Sequence, residues 1–263
     1  MAGVTTTPDQ RRLAVLIDAD NTSAKHCAAL LEEIASYGTA SVRRAYGDWT
    51  GTRLAGWKSE LNAHAIQPMQ QFGYTTGKNS TDSALIIDAM DLLYAGNLDG
   101  FVIVSSDSDF TRLATRLREA GKTVIGIGER KTPQAFVAAC ERFVYLELLG
   151  AGPADSQVAS GEDKPPPPPA LDRILTSAVD TTSQDDGWAT LSSIGNHLVK
   201  NNPSFDPRLY GFSKLSLLVK AQPYLEVKQN KAAGGGTSYV RLKPVVTTTR
   251  RKSGSSGRTR SDA

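Results

Sequence analysis

The chain predicts a three-layer α/β domain with a mostly parallel sheet, followed by a small α+β winged helix-turn-helix domain. Three observations carry that expectation. Short apolar runs such as Leu13-Ala14-Val15-Leu16-Ile17 and Phe101-Val102-Ile103-Val104 alternate with segments of helical periodicity over the first 150 residues. Continuous apolar runs of this length are what strands buried on both faces look like. From Gly150 to Pro169 the composition shifts to Ala, Gly, Ser and acids and then to five consecutive prolines, which cannot bury a core and reads as a semi-rigid linker. Beyond it lie three short helical stripes and two strand-like segments, the pattern of a winged helix-turn-helix.

In order, Leu13–Asp18 reads as a strand, and Thr22–Tyr37 as a helix with Cys27, Leu30, Leu31 and Ile34 on one face and Gly38 as its stop. Ser41–Tyr46 is a strand and Arg53–His64 a helix. Ala65–Phe72 is strand-like, and Pro68 confines it to a sheet edge. A helix over Thr81–Tyr94, a strand over Phe101–Ser105, a helix over Phe110–Ala120 and a strand over Thr123–Gly128 follow, then a helix over Pro133–Arg142 and a short strand over Phe143–Leu146. In the second unit Leu171, Ile174, Leu175 and Ala178 form one stripe, Leu191, Ile194 and Leu198 another, and Leu215, Leu218 and Val219 a third. Tyr224–Gln229 and Ser238–Leu242 read as strands joined by Gly234-Gly235-Gly236. These patterns divide the chain into units at 12–149 and 170–244, with a linker at 150–169 and a disordered basic tail at 245–263.

With 40% hydrophobic and 22% charged residues, the composition is that of a globular protein rather than a disordered one. No apolar stretch approaches the roughly 20 residues of a membrane span, and Met1 to Arg12 lack a signal-peptide core. Cys27 and Cys140 have no ligand spacing, which suits buried thiols in a cytoplasmic, reducing compartment. Residues 1–150 carry 15 basic and 17 acidic side chains, and residues 151–263 carry 15 and 10. The acids gather in the first unit, and the basic second unit favours a polyanionic partner.

Two acidic clusters stand where apolar strands end: Asp18-Ala19-Asp20-Asn21-Thr22 and Ser105-Ser106-Asp107-Ser108-Asp109. The C-terminal ends of parallel strands border the crevice where open α/β sheets bind ligands. Asp82 falls on the apolar stripe of its helix with Leu85, Ile86, Ala89 and Leu93, at the N-terminus, whereas Asp88 is rotated away and Asp91 faces the other side. Capping and the helix dipole account for one acid per cluster but not for the set. Bringing Asp18, Asp82 and Asp107 within about 4 Å of each other costs on the order of 4 kcal/mol per pair at an effective dielectric of 20. A hard cation, Mg²⁺ or Mn²⁺, offsets that repulsion and brings phosphate chemistry with it. Lys78 and Asn79, in a Gly-bearing loop before Asp82, are candidates to hold a substrate phosphate, against the alternative of a plain surface lysine. The three histidines, His26, His64 and His197, suggest neither a nucleophile nor a ligand cluster.

Val15-Leu16-Ile17-Asp18-Ala19-Asp20-Asn21, Lys78-Asn79-Ser80-Thr81-Asp82 with Asp88 six residues on, and Val104-Ser105-Ser106-Asp107-Ser108-Asp109-Phe110 resemble, in order and spacing, the NYN domains of the PIN-like nuclease superfamily. The resemblance implies a PIN-like fold and metal-dependent ribonuclease activity. It implies Asp18, Asp82, Asp107 and Asp109 as catalytic metal ligands, Asn21 as a catalytic residue positioning substrate or a ligand, and Asp88 as a supporting acid. Ser106 stands where many relatives carry Gly.

Asp186-Gly187-Trp188, Phe205-Asp206 with Tyr210-Gly211, and Lys214-Leu215 resemble the OST-type helix-turn-helix, or LOTUS domain. That resemblance implies binding of RNA, single-stranded or structured and G-rich in some relatives, or of a protein partner in others. Lys214, Lys220, Lys228 and Lys231 are candidate RNA-backbone contacts, against an ordinary solvated face. Trp188 reads as core before it reads as a base-stacking platform.

Two other readings stay open on sequence. One is an RNA-binding regulator without catalysis. The other is a haloacid-dehalogenase-type phosphatase, with Asp18 as covalent nucleophile and Asp20 as general acid/base, although Lys78 preceding the Ser105 element reverses that family's order.

Overall fold

The structure, a computed structural model, describes residues 11–72, 80–150, 170–230 and 237–243. Lys78, Asn79, Lys231, the Gly234-Gly235-Gly236 loop, the linker after Gly150 and the C-terminal tail lie outside the described residues.

The first domain contains β1 (Arg12–Asp18), α1 (Cys27–Ala35), β2 (Thr39–Gly47), α2 (Trp57–Ala63), β3 (Gln67–Gln70), α3 (Ser80–Ala95), β4 (Gly100–Val104), α4 (Thr111–Glu119), β5 (Thr123–Gly128), α5 (Gln134–Ala139) and β6 (Arg142–Tyr145). All five pairings in its six-stranded sheet are parallel, in the order β3-β2-β1-β4-β5-β6. The expected mostly parallel three-layer architecture is therefore present. Period-2 alternation explains the layers. Leu13, Val15 and Ile17 of β1 join Cys27, Leu30, Ile34 and Trp57 on one face. Ala14 and Leu16 join Leu85, Ala89, Phe110, Leu117 and Phe136 on the other.

β3, with Pro68, is an edge strand as expected. From β1 the chain moves outward to β2 and β3, and from β4 it moves the opposite way to β5 and β6. The reversal between β1 and β4 is a topological switch point, where helices on the two sides diverge and leave a crevice above the strand ends.

Boundaries differ from expectation most at the helices. α1 begins at Cys27 instead of Thr22, after a 3₁₀ turn over Ala24–His26. The preceding residues are committed elsewhere. The Asn21 amide bonds to Asp18, and the Thr22 carbonyl accepts from the Trp57 indole. α2 shortens to Trp57–Ala63 because residues 52–58 make single i→i+3 turns leading into it.

The second domain contains α6 (Leu171–Thr182), β7 (Ala189–Thr190), α7 (Leu191–Asn201), α8 (Leu215–Lys220), β8 (Leu225–Asn230) and β9 (Thr237–Leu242). Its antiparallel sheet has the order β7-β9-β8. The three predicted stripes meet in one core of Leu175, Ala178, Ile194, Leu198, Leu218 and Val219, closed by Phe205 and Val240. The two-residue strand β7 and a 3₁₀ turn over Pro207–Tyr210, capped by Asp206, were not foreseen. Among the described residues no helix is long and apolar enough to cross a membrane.

Candidate metal centre and nucleic-acid interface

β1 and β4 are hydrogen-bonded neighbours, with Ile17 opposite Val104. Their ends deliver Asp18 and the Ser105–Asp109 loop side by side. The N-terminus of α3 brings Asp82 to the same rim. Carboxylate oxygens of Asp82, Asp107 and Asp109 lie within 4.8 Å of one another. Asp18 stands behind them, fully buried. Its carboxylate accepts from the Asn21 side-chain amide at 2.8 Å and from the Ser105 hydroxyl at 2.8 Å. Ser105 accepts in turn from the Asp107 backbone N–H at 3.1 Å, which ties the Asp18 carboxylate to the main chain of the Ser105–Asp109 loop through one hydroxyl. Asp107 also caps the following turn by accepting from the Asp109 N–H at 3.0 Å.

The electrostatics are those of a site short of positive charge. Burial pushes the Asp82 carboxyl up to about 6, and the charges of Asp18, Asp107, Asp109 and Asp20 push the same way. Burial also raises Asp18, against the hydrogen bonds from Asn21 and Ser105. Hard oxygen donors in this number suit Mg²⁺ or Mn²⁺, so the donor set fits such a cation.

The folded pKa of Asp82 lies above its unfolded value of 3.8. Stability therefore falls as pH rises from the unfolded value to the folded one, and above the folded value the full loss is in place and constant. In EDTA, melting temperature should rise as pH falls from 7 to 5. Asp82→Asn should remove much of that dependence and raise melting at pH 7 by about 3 °C, equivalent to roughly 1 kcal/mol. Scanning calorimetry of both proteins in EDTA reads this directly.

The structure gives the remaining sequence candidates different settings. Asn21, itself exposed, donates its side-chain amide to Asp18 and so orients that carboxylate. Asp20 accepts from Thr81 at 2.9 Å and pairs with Arg53, an exposed cation on the rim that sequence reasoning missed. Asp88 turns away from the rim to bond Arg44 and Tyr46, so it ties α3 to β2. Asp91 is exposed, as expected. Ser106 accepts from the Glu129 N–H at 2.8 Å, a tether that a Gly cannot make. Ser105 also went unassigned; the signal was its place between the strand and Asp107.

One sequence expectation is corrected. His64 does join a group of ligand-type atoms, lying with Glu60 and Cys27 such that one atom of each is within 4.8 Å of the others. His64 and Glu60 are one helical turn apart, but Cys27 arrives from α1 through tertiary packing, which spacing cannot reveal. Burial, helped by Glu60, pushes the Cys27 thiol up to about 11, so at neutral pH it is a protonated core thiol.

In the second domain Lys214 and Lys220 are exposed, at the start and end of α8. Trp188 is 9% exposed, in keeping with a core role. Its ring is covered by cations, with the Lys228 ammonium 4.0 Å and the Arg241 guanidinium 4.6 Å from the centroid.

The family model of the NYN domain matches residues 12–147, more than half of the chain, a span that contains the whole acidic rim. The chain belongs to the NYN-domain family. An OST-HTH/LOTUS domain matches residues 166–235, so the two modules follow in the expected order. NYN domains belong to the PIN-like nuclease superfamily. No curated protein matches the NYN chain. Among solved structures, a protein of unknown function from Vibrio parahaemolyticus is 18% identical over 54% of this chain and 96% of its own, with TM-score 0.46. A solution structure of a fragment, residues 175–257, of a Chromobacterium violaceum protein is 34% identical over 33% of this chain and 96% of its own, with TM-score 0.26. An uncharacterised protein from Nitrosomonas europaea is 33% identical over 34% of this chain and 90% of its own, with TM-score 0.27.

Proposed function

We propose that this NYN protein is a metal-dependent ribonuclease that hydrolyses RNA phosphodiester bonds, with its LOTUS domain as the RNA-binding module. The domain units are 12–149 and 170–244. The observation that carries the reading is the convergence of Asp82, Asp107 and Asp109 within 4.8 Å, with Asp18 buried behind them, at the switch point of a parallel sheet. Asp82, Asp107 and Asp109 would hold Mg²⁺ or Mn²⁺ directly, with Asp18 as the fourth acid. Such a cation supplies positive charge to phosphoryl oxygens and acidifies water.

The chain's own residues do the positioning. Ser105 and Asn21 fix the Asp18 carboxylate, and Ser105 links it to Asp107. Arg53 adds an exposed cation on the rim for an incoming RNA phosphate. Lys78 and Asn79 are substrate contacts in this reading, as are Lys214 and Lys220 on the LOTUS domain. In-line attack by water leaves a 5′-phosphate and a 3′-hydroxyl. Two buried, unpaired cysteines suit a reducing, cytoplasmic compartment.

The test incubates the purified chain with end-labelled single-stranded, hairpin and G-rich RNAs in Mn²⁺, Mg²⁺ or EDTA. Cleavage with either metal and none in EDTA is expected. RNA binding without any product under all three conditions would leave the non-catalytic regulator as the better account.

A further inference from the structure

The LOTUS domain touches the NYN domain through one continuous polar ring. Arg208 forks onto Glu33 of α1, at 2.9 and 3.2 Å, and onto Asp206, at 2.7 and 3.0 Å. Asp206, itself buried, lies 3.5 Å from the Arg142 guanidinium at the start of β6. Arg142 donates to the Tyr37 hydroxyl at 2.8 Å, and Tyr37 donates back to Glu33 at 2.7 Å. The circuit Glu33–Arg208–Asp206–Arg142–Tyr37 closes on itself with two cations and two anions. Three members come from one domain and two from the other. Beside it, the outward Phe143 N–H of edge strand β6 donates to the Pro203 carbonyl at 2.8 Å.

We infer that the segment Pro203–Arg208 is a docking element that locks the LOTUS domain onto the β6 edge of the NYN sheet, so that the two domains move as one body. Interfaces between domains are often small and mobile. Three features oppose that here. The forked guanidinium–carboxylate geometry is directional. Every charge in the ring has an opposite neighbour, so separating the domains strands half-buried Glu33 and Arg142. The Pro203 carbonyl covers an otherwise open strand edge. A tether of roughly 20 residues keeps the two surfaces at high effective concentration.

The position of the lock matters for the proposed reaction. Arg142 begins β6, and Glu33 in the last turn of α1 and Tyr37 just beyond it lie where the chain returns to the N-terminal ends of the strands. The dock therefore lies at the end of the sheet opposite the acidic rim and leaves the rim open.

The test is rotational tumbling of the full chain by ¹⁵N relaxation, without RNA or metal, so it fails or succeeds independently of nuclease activity. In the wild type at low salt, amides of both domains should report one shared correlation time. Glu33→Arg places a cation against Arg208 and Arg142 and should split the values, with the LOTUS amides tumbling several-fold faster. Arg208→Gln, a milder change, should split them in the same direction. Core amide shifts of each domain report that the variants are folded. Two separate correlation times in the wild type, or an unsplit value in folded Glu33→Arg, would overturn the lock.

Discussion

Asp107→Asn is expected to reduce RNA cleavage by about a thousandfold or more under single-turnover conditions, because in the proposed reaction Asp107 is a charged ligand of the metal. The substitution is chosen so that folding does not confound the result. Asp107 caps the turn before α4 by accepting from the Asp109 N–H, and an asparagine oxygen caps equally well. Melting temperature should therefore move little while activity falls. Asp18→Asn should also lose activity while folded: its amide oxygen can still accept from the Asn21 side chain and Ser105, at the cost of the longer bond from the Asn21 backbone N–H, so its melting temperature should fall somewhat more than that of Asp107→Asn. Asp91→Asn is the matched control, as that acid is exposed on the far side of α3. Retained cleavage in both Asp107→Asn and Asp18→Asn, at wild-type metal concentration, would remove the acids from the reaction.

The second large effect is on stability. Gly128→Ala should destabilise the chain by about 3 kcal/mol or more, because overpacking against backbone has no rotamer escape. A Cβ at this position would stand 2.5 Å from the Ser105 carbonyl, 2.8 Å from the Thr132 hydroxyl and 3.1 Å from the Phe143 ring. Two of these three contacts are held in place. Ser105 is pinned by its N–H to the Ile127 carbonyl, and Phe143 is packed in the core. Relief by displacing Ser105 would also disturb its bonds to Asp18 and Asp107. The measurable signature is paired: a lower denaturant midpoint, and weaker Mn²⁺ protection against melting than in the wild type.

Much of this architecture was readable in the linear chain, and the gaps have physical causes. The strands carrying Asp18 and Asp107 announce themselves because burial on both faces demands unbroken apolar runs. Asp82 was placed by helical periodicity alone, since it shares a stripe with Leu85 and Ala89. Asp88 was read as a supporting acid of the rim. Its attachment to Arg44 and Tyr46 depends on how α3 crosses β2, which periodicity does not encode. Helix starts were set too early because Asn21 and Thr22 look like caps in sequence, whereas their bonds are spent on Asp18 and Trp57. Cys27 meeting Glu60 and His64, and Arg208 meeting Glu33, are tertiary coincidences 33 or more residues apart with no local signal. Lys78 and Asn79 remain candidates from sequence alone.

The switch point between β1 and β4 has one more practical consequence. Its hollow arises from the direction in which the connections leave the sheet, not from the acids that line it. A chain stripped of Asp82, Asp107 and Asp109 charge should thus keep its shape and its basic C-terminal module. Immobilised on a resin, that disarmed form is expected, under the proposed RNA-binding reading, to act as a bait that retains RNA uncut, and sequencing what it holds would identify the RNA it selects.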